Sequence, residues 1–186
     1  MADLVTHLAT AFFWKAATKR PHLTSFVLGV ALPDLVGRAP VSALQSLHRH
    51  GVTAPDRLVE GIAVLHLPLG FVPVTLALAL LFEERARAAV WMNLLGGCFL
   101  HLALDLTQHH VGKGYMLLFP LTDWDFELGW IGSEATVPYA PFLLPISLLL
   151  WAWRRPRGEA RGEAQGERRH AAAPGSDSSA GPGSTG

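Results

Sequence analysis

Residues 61–82, GIAVLHLPLGFVPVTLALALLF, run for 22 positions without a formal charge. At about 1.5 Å per residue in a helix, such a run matches the roughly 30 Å hydrocarbon core of a bilayer. Residues 88–108 form a second apolar run, interrupted towards its end by His101, Asp105 and Gln108. Residues 137–153, VPYAPFLLPISLLLWAW, form a third, closing on Trp151 and Trp153 with Arg154, Arg155 and Arg157 directly after. Indole rings followed by arginines suit a water–lipid boundary. Three such runs in 186 residues argue against core helices of a soluble domain. Two shorter segments complete the pattern: an amphipathic helix over 3–18, and an apolar helix over 23–37 that ends at Leu32-Pro33-Asp34. The expected fold is all-α: a polytopic helical membrane bundle of about five helical segments.

Only 16% of the chain is charged, against about 25% in soluble domains. Acids and bases balance at 15 each, so nothing in the net charge points to nucleic acid. The expected boundaries are a membrane domain over 1–153 and a tail over 154–186. The tail's Gly, Ala, Ser, Pro, Glu and Arg lack an apolar face to bury, so disorder is expected there. If all five segments cross and the tail is cytoplasmic, eleven lysines and arginines fall on its side and four on the other. That bias is the one expected of cytoplasmic loops.

With this topology the polar residues of the apolar segments share one depth, near the outer face. His7 lies early in the first segment, Asp34 ends the second and His66 lies about a turn into the third. His101 and Asp105 lie near the outer end of the fourth. Ionisable groups at that depth cost at least ~2.5–3.5 kcal/mol each and need partners. A shared metal ion is one solution, and a hydrogen-bonded His–Asp network is the other. His101 and Asp105, spaced i, i+4, fall on one helix face, where a nitrogen and a carboxylate oxygen suit a cation such as Zn²⁺. Gly96-Gly97 just before them admits a close neighbouring helix.

Taken singly, each of these residues has an ordinary role: His7 at an interface, His66 in a core, Asp34 as a cap after Pro33. His48 and His50 read as solvated loop histidines. The cluster Asp123, Asp125 and Glu127 reads as a solvated loop whose Trp124, Phe126 and Trp130 meet the interface. Its spacing is not that of an EF-hand. The chain has no phosphate-binding Gly-rich loop with a Lys-Ser/Thr ending and no GxSxG elbow, which disfavours a serine hydrolase.

The ordered blocks Thr6-His7-Leu8, Leu32-Pro33-Asp34, Leu65-His66-Leu67 and Gly97 to Thr107, the last running on to Leu118-Phe119-Pro120, form a pattern. Over residues 1–122 it resembles the YdjM-like membrane-bound metal-dependent hydrolases, which are small bacterial membrane proteins. That family is distantly similar to zinc-dependent phospholipase C. The resemblance implies His7, His66, His101 and Asp105 as metal ligands, with Asp34 as a ligand or catalytic base. It differs from the family pattern in having Leu35 and Val36 after Asp34, where a second acid often stands. The expected function is hydrolysis of an ester or phosphoester at the outer membrane face, with a divalent metal, zinc by that resemblance, as cofactor. The expected partner is a membrane lipid or lipid-linked substrate, and the expected location is the bacterial inner membrane with a cytoplasmic C-terminus. The alternatives are a transporter or proton relay, and a structural protein whose polar cluster holds helices together.

Overall fold

The computed structural model describes residues 4–18, 23–109, 114–132 and 135–154. Beyond Arg154, the expected tail lies outside the described residues. Among them are six helices: α1 (Leu4–Thr18), α2 (Leu23–Arg49), α3 (Asp56–Val64), α4 (Pro68–Leu80), α5 (Glu84–Leu106) and α6 (Ala140–Arg154). The only ladder among the described residues is a parallel pairing of Gln108–His109 with Ile131–Gly132. The fold is thus mostly helical, with a small β element in the connection between α5 and α6.

Two helices are long and apolar enough to cross a membrane, α2 with 27 residues and α5 with 23. The pair α3–α4 makes a third candidate, bent by 68°. Two or three candidate spans therefore stand among the described residues, against the five crossings assumed for the topology. Helices α1 and α6 have 15 residues each, a rise of roughly 22 Å, well short of the bilayer core.

The order of the segments also changes. The segment expected to stop at Leu32-Pro33-Asp34 continues to Arg49 and is the longest helix described. Pro33 has no N–H with which to reach the carbonyl of Gly29 one turn back. The thiol of Cys98, on α5, donates to that carbonyl instead, at 3.2 Å. From Asp34 to Arg38 the helix is π-wound, and the N–H of Ala39 reaches back to the carbonyl of Asp34. Pro40 follows at once, and a proline ring crowds the carbonyl one turn before it. The wider π register relieves that crowding and lets the helix continue.

The uncharged run 61–82, by contrast, is broken. Leu67 precedes Pro68 and is extended, with φ −99° and ψ 162°, because a residue before proline is driven out of the helical region. Pro68 then opens α4, leaving His66 in the break.

Helices α2 and α5 run parallel, since Asp34 meets His101 while Lys15 touches both Phe26 and Asn93, and they pack very closely. A Cβ built on Gly29 would lie 2.2 Å from the carbonyl oxygen of Leu94, and one on Gly97 would lie 2.4 Å from that of Phe26. Gly96 meets only ordinary contact distance, so Gly97 is the member of the pair that permits the crossing. Helix α1 packs against α6, where Phe12 meets Trp151 with ring centres 5.9 Å apart.

Polar and apolar side chains share the interior, and many large apolar ones face outward. Thr6, His7, Lys15, Asp34, His66, Thr75, His101, Asp105, Gln108 and Ser147 are buried, whereas Leu76, Leu80, Met92, Phe99, Phe142, Leu149 and Trp153 are exposed. Apolar side chains facing outward, with ionisable groups kept inside, suit a lipid solvent and fit the two long apolar helices.

Candidate metal centre

Asp105 is the hub. It lies on α5, four residues after His101, and both side chains are completely buried. Its Oδ2 accepts a hydrogen bond from the Tyr115 hydroxyl at 2.5 Å and lies 3.0 Å from His66 Nε2. His101 Nε2 is 3.3 Å from the same oxygen. The other oxygen, Oδ1, is 3.1 Å from His7 Nε2.

Each partner is delivered by a different local device. His7 comes from the inward face of α1 and stacks on His101, with ring centres 4.0 Å apart. His66 projects from the break between α3 and α4, edge-on to His101 at 4.9 Å. Gly37 makes room for it, since a Cβ there would lie 2.9 Å from both the backbone N and the Cβ of His66. Asp34 opens the π turn of α2, and π turns frequently mark functional sites. Its Oδ1 lies 3.8 Å from His101 Nε2 and 3.9 Å from His66 Nδ1. The structure therefore gathers His7, Asp34, His66, His101 and Asp105 into one buried cluster.

The cluster has donor atoms spaced for a cation. Around four-coordinate zinc with bonds of ~2.0–2.2 Å, ligand atoms stand ~3.3–3.6 Å apart. His66 Nε2 and His101 Nε2 are 3.4 Å apart, and Asp105 Oδ2 lies 3.0 and 3.3 Å from them. Two sets of ligand atoms lie within 4.8 Å of one another: His7, His101 and Asp105, and Asp34, His66 and His101. Several buried atoms also lack a hydrogen bond: His7 Nδ1 and Nε2, Asp34 Oδ1, His66 Nδ1, His101 Nδ1 and Asp105 Oδ1. His7 Nε2 and Asp105 Oδ1 are among them despite their 3.1 Å separation. These two atoms stand at ion-pair distance. Buried polar groups ordinarily find partners. The His/Asp set could hold a divalent metal ion, and its donor types and spacings fit one.

The sequence patterns above passed over two neighbours of this centre. Tyr115, one of two tyrosines, lies in the α5–α6 connection, held by mutual backbone hydrogen bonds with Phe126 at 3.0 and 3.1 Å. Burial first, and the Asp105 carboxylate second, push its phenol well above the usual tyrosine range, so it stays a donor to Asp105. Arg38 closes the π turn with Nη1 3.7 Å from Asp34 Oδ1. The only hint in the sequence was its i, i+4 spacing from Asp34.

The other polar residues singled out lie elsewhere. His48 and His50 are exposed. His109 pairs with Glu127 at 2.8 Å, and Asp125 accepts the N–H of Gly114 at 3.0 Å. His110 lies outside the described residues. No family model matches the chain, and no curated protein or solved structure matches it.

Proposed function

We propose that this chain is a membrane-embedded, metal-dependent hydrolase of ester or phosphoester bonds, akin to the YdjM-like proteins its sequence blocks resemble. The observation that carries the reading is the convergence of His7, Asp34, His66, His101 and Asp105 in a buried cluster whose polar atoms are only partly hydrogen-bonded. In this reading His7, His66, His101 and Asp105 hold the ion. The mixed imidazole and carboxylate donors favour zinc. Bound there, the ion supplies Lewis acidity, polarising a phosphoryl or carbonyl oxygen and making water a better nucleophile at neutral pH.

The chain's own residues divide the remaining work. Asp34, at the edge of the cluster, orients the attacking water or takes up its proton. Tyr115 fixes the Asp105 carboxylate by donating to Oδ2, as partners of metal ligands commonly do. The helices exclude bulk water. The substrate is a lipid or lipid-linked ester at the outer face of the plasma membrane, with the C-terminus cytoplasmic.

The test is metal content and turnover of the purified full chain in detergent. About one or more equivalents of zinc or manganese per chain, together with zinc-dependent hydrolysis of bis(p-nitrophenyl) phosphate or p-nitrophenyl butyrate, is the expected result. Absence of stoichiometric metal uptake overturns the reading. One observation favours a second reading, a purely structural network: Asp105 already receives hydrogen bonds from His66 and Tyr115. In that case substitutions in the cluster lower stability and no metal is taken up.

A further inference from the structure

An open cavity of about 240 Å³ adjoins the His/Asp cluster. Val41, Leu67 and Met116 line it with apolar side chains. Arg38, His66 and Tyr115 line it too, yet the surface they and the rest present is almost wholly carbon. The polar atoms of these three are engaged with the carboxylates of the cluster. The Tyr115 hydroxyl and His66 Nε2 meet Asp105 Oδ2, and Arg38 Nη1 lies 3.7 Å from Asp34 Oδ1. The rings of His66 and Tyr115 stack with centres 5.6 Å apart. Together they form a partition between a polar cluster and an apolar cavity.

The lining decides what can occupy the space. A buried water needs about two to four polar partners, and this wall offers almost none. An apolar guest needs none. The two long apolar helices fit a bilayer, where hydrocarbon chains are the apolar molecules at hand. At roughly 30 Å³ for a water-sized group such as a methylene, the cavity holds about eight of them. It is also smaller than the ~300–1,000 Å³ typical of sites for drug-sized ligands. One unbranched chain segment fits it, and a pair of acyl chains does not.

We propose that this cavity takes a single unbranched hydrocarbon chain from the lipid leaflet, with the chain's polar end at the His66–Tyr115 partition. The proposal rests on the hydrolase reading and narrows its substrate. His66 borders both the cavity and the cluster, so the chain is bonded directly to the reacting ester. A single-chain ester meets that requirement. A diacyl lipid does not. The hydrocarbon chain, and not a charge, is then what the cavity recognises.

The test is photolabelling of the full chain in zwitterionic nanodiscs, zinc-loaded and metal-free. The probe is 1-octanol bearing a diazirine, and peptide mapping locates the adducts. Adducts are expected on Val41 and Met116 and should be displaced by excess unlabelled 1-octanol. Leu149, 70% exposed on α6, serves as the non-saturable control. Ala63 is exposed and lines the cavity, so Ala63→Phe fills space without burying a strained side chain. It should cut the Val41 and Met116 adducts by about tenfold or more, leaving Leu149 adducts and zinc content unchanged. Val41→Phe, read at Met116, decides the matter if Ala63→Phe does not fold. With zinc bound, kcat/KM for p-nitrophenyl esters should rise by about tenfold or more from acetate to octanoate, and Ala63→Phe should flatten that rise. Adducts absent from the cavity, adducts undiminished by both fillings, or no rise with chain length in the zinc-loaded wild type overturn the proposal. Failure of the metal reading shows separately, as absent zinc uptake by the wild type, and the metal-free labelling still decides whether a chain occupies the cavity.

Discussion

Two regions of this molecule collect the same chemical groups and use them differently. Around Asp105, three histidines and two aspartates meet in a buried cluster in which six polar atoms make no hydrogen bond. In the α5–α6 connection, His109 and Glu127 pair with the histidine side chain 66% exposed, and Asp125 secures the N–H of Gly114. The loop groups are satisfied by one another and by solvent, so they need no further ligand. The cluster groups are buried, and their bonding capacity is not exhausted. Residue type alone does not make a site. Convergence in a buried place on a close helix crossing does.

The sharpest way to break that contrast is to change one carboxylate in each region. Asp105→Asn should lower zinc affinity by about 100-fold or more, since loss of even an outer partner of a ligand costs 10–100-fold. Glu127→Gln should leave zinc affinity within about twofold. Competition with a chromogenic chelator measures both, and equal losses would erase the distinction between the regions.

The next effect is on the helix crossing that assembles the cluster. Gly97→Val places a side chain where the backbone of Phe26 already lies. It should cost about 1–3 kcal/mol or more by overpacking. Gly96→Ala, which meets only ordinary contact, should cost little. Denaturation in mixed micelles reads the difference.

Tyr115→Phe removes the hydroxyl that orients Asp105 and should weaken zinc binding by about tenfold with the fold retained. Trp124→Phe, in the exposed loop, should not change it. The smallest effect belongs to Cys98→Ala, which leaves the Gly29 carbonyl unanswered at the proline in α2. It should cost about 1 kcal/mol and leave metal stoichiometry unchanged.

The sequence by itself determined the solvent and the cast of residues. Long uncharged runs with a few interior His and Asp fit lipid better than water, because each such group needs a partner there. The i, i+4 spacing of His101 and Asp105 placed both on one helix face without any tertiary information. Apolarity read the run 61–82 through Pro68 as a single span, and the break there came from the structure.

Only the tertiary structure decided which segments are long and which side chains meet. The helix around Leu32-Pro33-Asp34 continues because a thiol on another helix answers the carbonyl that Pro33 abandons, and because a π turn makes room before Pro40. Neither device is visible in local propensity, since each depends on a neighbour or on a shift of register. Tyr115 and Arg38 carry no motif and enter the site through the path of a loop and the phase of a π turn. The convergence of five ionisable groups from α1, α2, α5 and the α3–α4 break is likewise a product of packing. Sequence spacing fixes neighbours within a helix, whereas contact between helices depends on the close approach that Gly29 and Gly97 allow.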